Sequence, residues 1–271
     1  IRSVLLCMLL LRKLKKLTQP FRCKVDTKIL FGIKMFRNLI FIGSSRSGST
    51  WLAKSLGHHP KFKQPVKKPV RFWNRKIMGV SDNSSSHPNL SLNDYLEFFS
   101  PQKGITKCDI TDGYSLLSQP TILAIKKYFP DALIVQIMRK PSDIVDSHFG
   151  LHHKIFDNID NKQIRRQLIS YSGYQKHNIN QIYAYKMWKS FFPKNQFYLD
   201  FYEDFFKDPE SSLNKLISHC GHNPDELDNK DIYFKKINQR ISKTNITLDS
   251  DIRQTLHKLD QEYEKFRSSF K

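Results

Sequence analysis

The chain has 271 residues, 39% of them apolar, with 20 Phe and 11 Tyr. That is enough for one sizeable α/β domain and too little for two comfortable ones, and it excludes a disordered chain. A formal net charge of +20 points to anionic partners. The cysteines (Cys7, Cys23, Cys108, Cys220) are widely spaced, with no C-x-x-C pair and no histidine cluster, which argues against structural zinc and a disulfide framework.

The charge is uneven. Residues 1–37 carry ten Lys/Arg against Asp26 alone, a net +9, which leaves +11 for residues 38–271. Residues 1–37 are expected to be a basic N-terminal extension outside the fold, and residues 38–271 a single domain. The apolar run Val4–Leu11 is far short of the about 20 residues a bilayer requires. Its positive charges follow the run rather than precede it, unlike a signal peptide. An interfacial helix stays open, no membrane span is read, and the default compartment is the cytoplasm.

Asn38–Ile42 (NLIFI) reads as a buried strand running into the loop Gly43–Ser49, and Thr50–Leu56 as an amphipathic helix stopped by Gly57 and Pro60. Residues 58–68 read as irregular and basic, and residues 81–91 as a polar loop. A helix is expected over Leu92–Phe99, a strand over Ile105–Ile110 and a helix over Pro120–Tyr128. Ala132–Met138 is the clearest buried strand, and a helix follows from Ser142. Residues 151–192 read as mostly helical and Gln196–Phe201 as the last strand. Helices over Pro209–Cys220 and from Leu248 onward close the chain. Strands that are apolar throughout, alternating with helices, predict a mainly parallel sheet flanked by helices on both faces. Ligands of such sheets sit at the carboxyl ends of strands.

Two segments occupy that position. Gly43–Thr50 follows a strand and opens a helix, with glycines at both ends and hydroxyls at Ser47, Ser49 and Thr50. Its backbone amides and the helix N-terminus form a phosphate cradle. The spacing is that of the nucleoside-triphosphate loop G-x-x-x-x-G-K-S/T, but Ser49 replaces the lysine that serves β- and γ-phosphates. The positive charge sits instead at Arg46. The second segment, Arg139–Phe149, follows the strand ending at Met138. Pro141 sets up a helix start, Arg139 stands at the strand tip and Ser147 projects from the helix. A guanidinium fork beside a hydroxyl suits a terminal phosphate.

Ser45–Leu52 (SRSGSTWL) resembles the 5′-phosphosulfate loop, K/R-S-G-T-S/T-W/L, of sulfotransferases that use 3′-phosphoadenosine 5′-phosphosulfate (PAPS). Arg139–Ser147 resembles the 3′-phosphate motif, R-D/K-P-x-D-x-x-x-S, of the same family. Weaker similarities run through Cys108–Tyr114, Phe201–Pro209 and the basic Lys236–Lys243, and together they span roughly residues 38–265. The resemblance implies an α/β, three-layer fold like that of P-loop NTPases. It implies PAPS as donor, no metal, and transfer of a sulfuryl group to a hydroxyl or amine, most readily on a carbohydrate. The donor would be held by Arg46, Ser47, Gly48, Ser49, Thr50, Trp51, Arg139, Ser147 and Arg240. Arg46 would also assist departure of the nucleotide.

The match fails at one place. Many carbohydrate-directed members carry a glutamate base after the first helix, where this chain has Lys68. A protonated lysine cannot accept a proton. Asp109 is the expected base, with His148, His152 and His153 as alternatives, and a baseless, impaired PAPS/PAP-binding protein stays open. A P-loop kinase and a nucleic-acid-binding protein are the rival classes. The missing loop lysine argues against the first and the lack of any reader motif against the second. The sequence specifies no oligomeric state.

Overall fold

The computed structural model describes residues 35–65, 70–74, 90–153, 181–228 and 248–270. In chain order the elements are Asn38–Phe41 (β1), Ser49–Leu56 (α1), Phe62–Lys63 (β2), Leu92–Phe98 (α2), Thr106–Asp109 (β3), Gln119–Tyr128 (α3) and Leu133–Met138 (β4). They continue as Pro141–His153 (α4), Gln181–Lys189 (α5), Phe197–Phe201 (β5), Tyr202–Phe205 (α6), Pro209–His219 (α7) and Ser250–Ser268 (α8). The sheet order is β2-β3-β1-β4-β5, and each neighbouring pair is parallel. No helix among the described residues is long and apolar enough to cross a membrane.

Strand parity explains why these segments need cover on both sides. Leu39 and Phe41 on β1 and Val135 and Ile137 on β4 face one cluster, closed by Leu52 and Leu56 of α1 and Leu213, Leu216 and Ile217 of α7. Ile40, Ile42 and Ile134 face the opposite cluster, with Tyr95, Ile122, Ile125 and Trp188. Each fully buried aliphatic side chain contributes about 1.5–3 kcal/mol. An all-apolar strand therefore cannot leave either face in water. A third cluster of Met138, Tyr185, Phe201 and Tyr263 ties α5 and α8 to the carboxyl tips of β4 and β5.

Local signals set the element ends. Ser91 and Asp94 form a reciprocal capping box on α2, and Asp208 caps α7 ahead of Pro209. Within the stretch 58–68, of which residues 58–65 are described, the chain departs from the expected irregular path, because Phe62 and Lys63 pair with Thr106 and Lys107 as an edge strand. Two residues carry no readable periodicity. Tertiary contact makes this strand, since Phe62 is buried against the first cluster.

Candidate active site

The carboxyl tips of β1, β3 and β4 stand side by side in the sheet, and the chain leaving each tip meets the others. After β1 the backbone turns tightly: the Ser47 amide donates to the Ser44 carbonyl at 3.3 Å, and the two buried hydroxyls lie 2.6 Å apart. Arg46 (φ 69°) and Gly48 (φ 84°) both take left-handed backbone. For arginine that conformation is strained, and such strain gathers at functional loops. Gly48 has a second reason to be glycine, because a Cβ there would lie 2.7 Å from the Phe206 ring. Gly48 is also the N-cap of α1, with no side-chain cap and no acid in the first turn. The positive end of that helix dipole therefore opens on the loop.

Arg139 and Ser147 come to the same loop. Arg46 Nε donates to Ser147 Oγ at 2.9 Å, and Arg139 Nη1 donates to the Arg46 carbonyl at 2.7 Å. The Arg139 guanidinium lies over the Tyr202 ring at 4.3 Å, a cation–π contact. Its Nε is buried without a hydrogen-bond partner. Burial, and next the charge of Arg139, lower the Arg46 pKa from its ordinary value. Two guanidiniums this close repel each other in a partly dry setting, and a multiply charged anion relieves that repulsion. The residues present fit a phosphorylated nucleotide on these grounds: an orphan donor, crowded cations and an uncapped helix start. Arg46 reaches the Ser147 hydroxyl itself, so the two motifs form one connected cluster rather than two separated grips.

Of the remaining loop residues, Ser47 and Ser49 are buried and Thr50 is exposed. Trp51 packs edge-on against Phe205 and Phe206, at centroid distances of 5.9 and 5.2 Å. Arg240, Lys68 and Lys236–Lys243 lie outside the described residues, as do the side chains of His148, His152 and His153.

Asp109, the expected base, stands at the carboxyl tip of β3 and is enclosed. It is 0% exposed and accepts hydrogen bonds from Tyr95 (2.7 Å), Tyr114 (2.7 Å) and Thr111 (2.6 Å). Burial, and then the Asp109 charge, raise the pKa of both tyrosines well above the ordinary value, so they stay protonated donors. A carboxylate enclosed by three hydroxyls anchors β3 to α2. Three residues on, Asp112 occupies the loop's rim. Its carboxylate accepts from Ser45 Oγ at 2.6 Å and lies 3.5 Å from Arg71 Nη2, with 22% of the side chain exposed.

Gln181, at the start of α5, was also out of reach of the sequence reading. Its side-chain amide bonds to the Arg139 backbone, and it stands 3.5 Å from Ser47 Oγ. The one available signal was Gln136, a polar residue inside an otherwise apolar strand, since buried polar groups are held by partners. Glu203 and Asp204 have structural roles. Glu203 accepts from the Lys140 amide and the Tyr263 hydroxyl, and Asp204 pairs with Arg267. Cys108 and Cys220 are buried free thiols. No group of three potential metal ligands occurs among the described residues.

Known proteins resemble this chain in domain and in fold. A family model described as the sulfotransferase domain matches residues 37–270. Among solved structures, a sulfotransferase from Alicyclobacillus acidocaldarius superposes with a TM-score of 0.58 at 17% identity, over 85% of this chain and 93% of that one. The sulfotransferase domain of the Synechococcus PCC 7002 olefin synthase superposes with a TM-score of 0.53 at 17% identity, over 85% and 96% of the two chains. No match was found among curated proteins. At such identities the superpositions establish a shared fold, while the family model covers the whole sheet and both arginine segments. The chain belongs to the sulfotransferase domain family, the enzymes that draw on PAPS.

Proposed function

We propose that this enzyme transfers the sulfuryl group of PAPS to a carbohydrate hydroxyl. One observation carries the reading: Arg46, Arg139 and Ser147 join in a single hydrogen-bonded cluster at the tips of neighbouring strands. The amides of the Gly43–Ser49 loop, with Ser47, Ser49 and Thr50, would hold the 5′-phosphosulfate. Arg139 and Ser147 would hold the 3′-phosphate, and Arg240 would close over the nucleotide. PAPS supplies a sulfuryl group that moves to the acceptor oxygen as its bond to the 5′-phosphate oxygen breaks. Arg46 and the loop amides neutralise the charge that builds on that phosphate.

The acceptor hydroxyl must lose a proton, and we assign that role to Asp112. Its carboxylate is one hydroxyl group away from the loop and partly open to solvent, whereas Asp109 is sealed. Candidate acceptor contacts are Arg71 and the half-buried Phe72, beside Asp112, while Trp73 is buried in the core beneath them. A ring stacked on sugar and a cation for an anionic glycan suit a carbohydrate better than a small phenol.

The test is transfer of radiolabelled sulfate from PAPS to a panel of glycans and tyrosine peptides, by wild type and Arg46→Ala in parallel. Labelled glycan from wild type, lost in the variant, supports the reading. PAP (3′-phosphoadenosine 5′-phosphate) binding with no labelled product marks a nucleotide-binding protein without transfer.

A further inference from the structure

Past its third residue, Val135, β4 has no strand on its β1 side among the described residues. The β1–β4 register ends at Phe41 opposite Val135, with one further bond from the Ile42 amide to the Val135 carbonyl. On its other side β4 stays paired with β5 through Met138. Arg139 follows immediately, and its backbone needs partners where no strand offers them. The Gln181 side chain takes that place. Its Oε1 accepts from the Arg139 amide at 3.1 Å, and its Nε2 donates to the Arg139 carbonyl at 2.6 Å. These two partners fix which end of the amide is oxygen and which is nitrogen. A primary amide presents an acceptor atom and a donor atom side by side, which matches the N–H and C=O of one residue.

The amide is itself held. Gln181 is 2% exposed, and its backbone carbonyl accepts from Gln136 Nε2 at 3.1 Å. Gln136 is fully buried in β4, and its own carbonyl oxygen has no hydrogen-bond partner. An orphaned acceptor in the core opposes folding, so Gln136 is retained for the bond it does make. The path therefore runs from the sheet interior through Gln181 to the backbone of Arg139, from which the guanidinium reaches the Arg46 carbonyl and the Tyr202 ring.

We infer that Gln181 is a positioning residue for the anion site: it sets the Arg139 guanidinium against the Arg46 loop and so sets the preference for a 3′-phosphorylated adenosine nucleotide. This rests on the nucleotide reading above. Gln181→Met keeps the volume and deletes both bonds to Arg139, together with the longer contact to Ser47 Oγ. Calorimetric titration of the full chain with PAP and with AMP, which lacks the 3′-phosphate, reads the effect. Wild type is expected to prefer PAP. Gln181→Met is expected to lower the PAP-to-AMP affinity ratio about tenfold or more, the range for a charged hydrogen bond, with AMP affinity changed less than about twofold and circular dichroism unchanged. In an Arg139→Ala background the same substitution should leave the ratio unmoved. A merely structural role would weaken both nucleotides alike. If Gln181→Met does not fold, Gln136→Met, which removes the support of the Gln181 carbonyl, is read by the same ratio. A wild-type ratio in the folded variant overturns the inference. Equal affinity of wild type for PAP and AMP overturns the nucleotide reading itself, and the inference falls with it.

Discussion

Arg46 donates to the Ser147 hydroxyl across 101 positions of sequence, at 2.9 Å. That bond joins the loop after β1 to the helix after β4, so charge changes at one are felt at the other. Ser147→Ala frees the Arg46 guanidinium without removing a charge. PAP affinity is expected to fall about three- to tenfold, as for loss of one hydrogen bond, with no change in melting temperature beyond a degree or two. Titration calorimetry and thermal denaturation together check this.

Asp109 and Asp112 should separate cleanly under substitution. Asp109→Ala strips a buried acceptor from three hydroxyls. The expected cost is about 3 kcal/mol or more, a melting temperature lower by about 6–12 °C. Asp112→Asn should leave stability and PAP binding near wild type and lower kcat about 100-fold or more, the scale of general base catalysis. The reverse pattern would return the catalytic assignment to Asp109.

Gly48→Ala tests the loop's shape. The positive φ and the 2.7 Å approach to Phe206 both oppose a Cβ. Loss of about 1–3 kcal/mol is expected from backbone strain and contact together. Because the strain falls on the cradle, PAP-induced stabilisation should shrink more than the melting temperature of the free protein.

Acid should weaken the fold from the far end of the sheet. His222, on Thr106 Oγ1 at 2.8 Å, has a pKa lowered to about 4, by burial first and then by the neighbouring His59 charge, with Glu226 partly opposing. The folded state therefore disfavours the proton. The stability that neutral His222 provides is whole above the ordinary histidine value, about 6.5, and is lost as pH falls toward 4. Melting temperature measured from pH 7 to 4.5 should fall, and His222→Gln should flatten the slope in that window.

The sheet was readable because its central strands are apolar on both faces apart from Asn38 and Gln136, a pattern that suits a parallel sheet covered on both sides. Arg46, Arg139 and Ser147 were readable because each sits within a few residues of a strand tip or helix start. Gln181 was not, since its bonds to Arg139 close a gap of 42 residues and leave no local pattern. Asp109, the expected base, is buried under three hydroxyls. The sequence placed an acid at the end of β3, but the turn beyond Asp109 decides which side chain faces the Tyr95 and Tyr114 hydroxyls and which reaches Ser45. The edge strand β2 was hidden for a similar reason, because its partner Thr106 lies over 40 residues away.

The central claim is that one anion site, built from two arginine segments, takes an adenosine nucleotide phosphorylated at both ends. Thermal denaturation of the full chain with PAP, with AMP and with ATP plus magnesium measures it directly. The account predicts the largest rise in melting temperature with PAP, and loss of that rise in Arg139→Ala. Equal stabilisation by ATP plus magnesium, or a PAP response that survives Arg139→Ala, would contradict it.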